Sequence, residues 1–134
     1  MTETRLEEHM AVVGRIVAKF VADGLAKHNI DSRAASRFLG GEVDKLTFEN
    51  VLTWMIDEEI IRVKDKSITM DGTVRVTAAQ LTAKGLAIVR EPTKSGDTIE
   101  KRIQSAGDDS GIYTKIGEMV GGVIAGYTKG LASG

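Results

Sequence analysis

The chain has 134 residues, 42% of them hydrophobic and 28% charged, with a net charge of −1 and no cysteine. That length suffices for one domain with a modest core, and the missing thiols exclude disulfides, thiolate metal centres and cysteine nucleophiles. Met1-Thr-Glu-Thr-Arg-Leu-Glu-Glu carries no apolar segment of the signal-peptide kind, and no apolar run approaches about 18 uncharged residues, so a cytoplasmic protein without a membrane-spanning helix is expected.

Thr4 and Glu7 stand at capping-box spacing. Leu6, Met10, Val13, Val17 and Phe20 come next in steps of four and three, widened by Val12, Ile16, Val21 and Leu25. This spacing predicts a long amphipathic helix from Arg5 to Lys27, ended by His28-Asn29. Its stripe is either a core face or a coiled-coil seam with another chain, and its brevity favours the core. Asp31 or Ser32 would cap a short helix through Ala34, Ala35, Phe38 and Leu39, stopped by Gly40-Gly41. Thr47 would cap a third helix, in which Phe48, Val51, Leu52, Met55 and Ile56 recur at helical spacing.

Ile60, Ile61 and Val63 then switch to a short β-rich run. Asp71-Gly72 is a tight-turn signal between Ile68 and Met70 on one side and Val74 and Val76 on the other, which predicts a hairpin. Thr82 would cap a return helix through Ile88 and Val89, ended by Pro92.

That order resembles a winged helix. Gln80-Leu-Thr-Ala-Lys-Gly-Leu-Ala-Ile88 resembles the "LTxxG" segment that closes the wing in many bacterial winged-helix proteins. Glu58-Glu59-Ile60-Ile61 resembles the helix exit into the first wing strand of the same group, notably small bacterial and phage proteins of the YjcQ type. The resemblance covers residues 5–91. It implies an α+β, mainly helical fold: a three-helix core with a β-hairpin wing, here succeeded by a Gly-rich C-terminal helix. The domain organisation expected is a winged-helix-like domain at 1–92, a linker with a short helix at 93–110, and the Gly-rich segment at 111–134. The linker's helix would hold Ile99 and Ile103 and stop near Gly107, and Asp108, Asp109 or Ser110 would cap the Gly-rich helix.

In that last segment Ile112, Ile116, Val120, Val123, Ile124, Tyr127 and Leu131 mark one helical side. Gly122, Gly126, Gly130 and Gly134 recur every fourth residue, and Gly117, Gly121 and Ala125 form a second small row. Each helical glycine costs about 1 kcal/mol relative to alanine, so something must compensate. Small residues at this spacing let two helices approach closely. The segment either packs closely against the domain or a partner chain, or lies on a membrane surface, or orders only on binding. Candidate self-association residues are Gly117, Gly121, Gly122, Gly126, Gly130, Val120, Val123, Ile124 and Tyr127.

Charge is spread unevenly. Residues 1–59 hold 7 Lys/Arg against 11 Asp/Glu (−4), residues 60–92 hold 6 against 3 (+3), and residues 93–134 hold 5 against 5. The Thr47–Glu59 helix, which a winged helix would lay in the DNA major groove, contains no Lys or Arg and would expose Glu49, Asn50, Thr53, Asp57 and Glu58. That opposes phosphate binding. Arg62, Lys64 and Lys66 share alternation parity and, with Arg75, are the candidate DNA-backbone contacts. The competing account makes them a solvated face protecting a sheet edge. Arg33 and Arg37, one turn apart, either extend a basic surface or pair with nearby acids. Trp54, between the apolar and polar sides of its helix, is a core residue or an interface anchor.

For catalysis no residue stands out. His9 and His28 lack metal-ligand spacing, and neither a nucleophile elbow nor a phosphate-binding glycine loop is present. The expectation is a non-enzymatic interaction module without catalytic residues, metal or cofactor. It would form a homo-oligomer or bind a protein partner. The alternative is a DNA-binding regulator that uses its basic wing.

Overall fold

The computed structural model of the chain describes residues 5–93, 96–105 and 111–133, the last eight of these as backbone only. Its order is α1 (Arg5–Asp23), β1 (His28–Asp31), a 3-10 turn (Ser32–Ala34), α2 (Ala35–Leu39), α3 (Lys45–Asp57), β2 (Ile61–Arg62), β3 (Asp65–Ile68), β4 (Val74–Leu81), α4 (Ala83–Arg90), α5 (Ile99–Gln104) and α6 (Gly111–Ser133). The protein is mixed α+β and mainly helical, with a small antiparallel sheet.

Strand β4 is the centre of that sheet, with β1 on one side and β3 and β2 in succession on the other. Residues 70–72 close the β3–β4 hairpin. Thr69 N–H donates to the Thr73 carbonyl at 2.9 Å and Gly72 adopts φ 85°, as the Asp-Gly signal requires. Along β4 the buried positions are Val74 and Val76, then Ala79 and Leu81. The alternation therefore slips by one residue between Val76 and Ala79. Ala78 sits there at φ 54°, and the pairing with β1 is irregular between His28↔Ala79 and Ile30↔Val76. This is a β-bulge; Asn29 Oδ1 accepts the Ala78 N–H at 3.1 Å.

Several local expectations change. Helix α1 stops at Asp23, not Lys27, and His28-Asn29 belong to an edge strand that exists only through its pairing with β4. The α3 N-cap is Asp44, whose carboxylate accepts the Thr47 N–H at 3.0 Å. Thr47 thus lies inside the helix. Thr82 does cap α4, accepting the Gly85 N–H at 2.9 Å. The Leu-Thr-x-x-Gly segment has a packing reason throughout. Leu81 is buried, Thr82 N–H donates to the Ile60 carbonyl at 3.0 Å, and a Cβ on Gly85 would lie 2.4 Å from that carbonyl oxygen. The expected caps at Thr4 and at Asp108, Asp109 or Ser110 lie outside the described residues.

One core runs across all expected segment boundaries. Val13, Ile16, Val17 and Phe20 of α1 meet Phe48, Leu52 and Met55 of α3, and Ile99 of α5 and Ile116 and Val120 of α6 close it. So the α1 stripe is core, and it is the Gly-rich helix that covers it. Trp54 packs half-buried against the same core.

Helices α1 and α6 run antiparallel and very close. A Cβ on Gly14 would lie 2.0 Å from the Tyr113 carbonyl oxygen, and one on Gly117 would lie 1.9 Å from that of Met10. Each glycine therefore admits the other helix's backbone. Gly121, one turn on, has no atom within 4 Å of its Cβ position. Gly14→Ala and Gly117→Ala are each expected to cost about 3 kcal/mol, the upper end for overpacking. Gly121→Ala should instead stabilise by up to about 1 kcal/mol through helix propensity. Urea unfolding of the three variants checks this.

Candidate functional site

Three surfaces carry the sequence-predicted residues. The first is α6. Gly117, Val120 and Ile124 are buried against the rest of their own chain, and Val123 is half-buried, so these residues already serve intramolecular packing. Gly121 and Gly122 have open space at their Cβ positions. Gly126, Tyr127 and Gly130 lie on the helix, in the part described as backbone only. On the far side from the core, Gly111, Lys115, Glu118, Gly122 and Ala125 are exposed. Lys115, Glu118 and Gly122 of this stripe line an open groove of about 760 Å³, together with Pro92, Thr93, Arg102, Met119 and Val123.

The second surface is the exposed side of α3. It shows Leu46 (63% exposed), Asn50 and Asp57, with Thr53 half-buried. Glu49, expected to face solvent, is only 7% exposed. Its carboxylate accepts a short hydrogen bond from Ser32 Oγ and pairs with Lys45 Nζ at 2.9 Å. Ser32 Oγ in turn accepts the Val74 N–H at 3.0 Å. A buried carboxylate requires such partners, and here they join α3 to the base of the hairpin. Burial pushes the Glu49 pKa up, but the Ser32 hydroxyl and the Lys45 ammonium outweigh it and hold the group below its ordinary value. Starting at Lys45, α3 gains a lysine that the sequence-predicted helix lacked; Glu49 engages it.

The third surface is the hairpin. The expected common face for Arg62, Lys64 and Lys66 assumed one regular strand, but the run is broken between β2 and β3. Arg62 stands opposite Gln80, whereas Lys66 stands opposite buried Val76 and Arg75 opposite Ser67 and Asp31. Cross-strand partners share a face and sequence neighbours do not. Lys66 and Arg75 therefore lie on opposite faces of the hairpin, though both are exposed. Arg75 Nε is 3.0 Å from Asp31 Oδ2, and Arg33 binds the same carboxylate. The Arg33 hydrogen bonds, aided by the charge of Arg75, hold Asp31 well below the usual carboxylate range. Arg62, Lys64 and Lys66 are exposed and take part in no ion pair among the described residues.

Chemically reactive arrangements do not assemble among the described residues. His28 Nε2 lies 3.2 Å from Asp23 Oδ2, and its ring meets Phe20 and Phe38 edge-on at 5.3 and 5.4 Å. That is a packing role. Among the described residues no group of three His, Asp or Glu side chains is placed to hold a metal ion. No described helix is long and apolar enough to cross a membrane. Sequence patterns alone missed two features. One is Gly14, whose signal was a glycine within the strongest apolar stripe. The other is Glu49, whose i,i+4 relation to Lys45 was visible but whose burial was not.

Glu49→Gln is expected to lower stability at pH 7 by about 1–2 kcal/mol. Because the folded pKa is depressed, the unfolded chain takes up the proton first. The charged cluster's contribution is therefore present above about pH 4 and lost as the pH falls through the folded value. Stability of the variant should fall less steeply on acidification, which urea unfolding at a series of pH values between about 7 and 2.5 measures. Compared with protein-family models, curated proteins and solved structures, the chain matches none.

Proposed function

We propose that this protein is a cytoplasmic, non-enzymatic interaction module, built on a winged-helix-like domain, that associates with itself, binds a protein partner, or does both. The element order supports the winged-helix-like part: α1, β1, α2 and α3, then a hairpin and a return helix. The observation that carries the function is the exposed side of α3. A DNA reader would lay this helix in the major groove and neutralise phosphates with it. Here that side offers Leu46, Asn50 and Asp57, and the helix's one lysine is held 2.9 Å from Glu49. A surface with apolar, neutral polar and acidic groups and, among the described residues, no free cation suits a protein better than a polyanion.

A second reading, DNA binding through the wing, is favoured by Arg62, Lys64 and Lys66, which are exposed and unpaired among the described residues. The two separate in one titration. Fluorescence anisotropy of a labelled random duplex at about 50 mM salt should show no tight binding. Tight binding that weakens steeply with salt, and is lost in an Arg62→Glu/Lys64→Glu/Lys66→Glu variant, would replace the interaction module with the wing-based regulator.

A further inference from the structure

The exposed stripe of α6 is spaced four, three, four and three: Gly111, Lys115, Glu118, Gly122 and Ala125. That is the spacing of a two-helix seam. Its order is also self-complementary under reversal. If a second α6 lies antiparallel, with the two-fold axis midway between Lys115 and Glu118, then Lys115 faces Glu118 of the other copy and Glu118 faces its Lys115. In the same register Gly111 faces Gly122, so small residues meet at both ends. A two-fold interface must match a surface with itself, and this stripe does so in both charge and size.

Three further observations agree. Neither Lys115 nor Glu118 is in an ion pair among the described residues, although they are one helical turn apart. Gly122 has nothing within 4 Å of its Cβ position, so a neighbouring helix can approach closely there. Lys115, Glu118 and Gly122 of the stripe themselves line a groove whose other lining residues are Met119, Val123, Pro92, Thr93 and Arg102, so half-buried Met119 and Val123 offer apolar surface to that neighbour. The charges of the stripe balance, so it suits a copy of itself better than a nucleic acid.

We infer that the exposed face of α6 is a homodimer interface, in which Lys115 and Glu118 of two antiparallel copies pair reciprocally. This rests on the self-association reading above and assigns its surface and register. The contact is separate from the one α6 makes with α1, which uses Gly117 on the buried side.

The test uses the full chain and sedimentation equilibrium. Lys115→Glu and Glu118→Lys each place like charges opposite one another twice per dimer, and each should weaken dimerisation about tenfold or more. An equimolar mixture of the two variants restores both opposite-charge pairs, so it should dimerise nearly as well as the unmodified chain. An intermolecular, antiparallel pairing predicts both the loss in each single variant and the recovery in the mixture, whereas a parallel register, already like-charged in the unmodified chain, predicts no loss in the single variants. Gly122→Leu, at an exposed position with nothing within 4 Å of the Cβ, should abolish the dimer while leaving the circular dichroism spectrum unchanged. Dimerisation insensitive to both charge reversals, or weakened singly but not rescued by mixing, would overturn the α6 interface and leave self-association standing. A monomer at the highest attainable concentration would overturn both.

Discussion

The close antiparallel approach of α1 and α6 is the constraint on which the rest of this structure depends. Without α6, the stripe of α1 would face water along much of its length, with Val13, Ile16 and Val17 among the most deeply buried residues in the chain. Burying a side chain of this size is worth about 1.5–3 kcal/mol, so the covering helix is part of the fold and not an appendage. Two glycines make the approach possible, and each removes its own Cβ from the path of the other helix's carbonyl. This accounts for one member of the glycine-rich composition. The helix-propensity cost of Gly117 is met by packing that no larger residue permits.

A second constraint is electrostatic. Glu49 is a carboxylate inside the joint between α3, the turn after β1 and the start of β4. Its desolvation is tolerable because a hydroxyl and an ammonium meet it and a backbone amide completes the chain of bonds. The orientation of the hairpin relative to α3 depends on that cluster. So does the surface of α3, because the lysine at its start and the glutamate one turn later are both drawn toward the joint. The groups left facing outward, Leu46, Asn50 and Asp57, carry no positive charge.

The bulge at Ala78 decides how the basic residues of the hairpin are presented. By inserting one residue into β4 it lets Val74 and Val76 face the core at one end while Ala79 and Leu81 do so at the other. The same slip, with the break between β2 and β3, divides the cations. Arg62 pairs with Gln80, on the face opposite to buried Leu81, whereas Lys66 pairs with buried Val76. Arg75, on the other face from its neighbour Val76, is drawn onto Asp31. A basic patch that alternation suggests is, in space, two separate groups.

Much of the fold was legible from local signals. Helical periodicity located α1, α3 and α6, Asp71-Gly72 located the hairpin, and Thr82 located the start of α4. Each of these is a preference that a few consecutive residues express through their own backbone and side chains. The tertiary structure decided what local chemistry leaves open. His28–Asp31 is too short and too polar to announce a strand, and it becomes one because β4 offers unpaired backbone groups beside it. The same polar spacing on α3 suits a solvent-facing or a buried Glu49, and only the arrival of Ser32 and Val74 from elsewhere in the chain selects the buried state. The small residues of α6 state that something must come close. That α1 does so on one side, through Gly14, depends on contacts about a hundred residues apart, which no local pattern encodes.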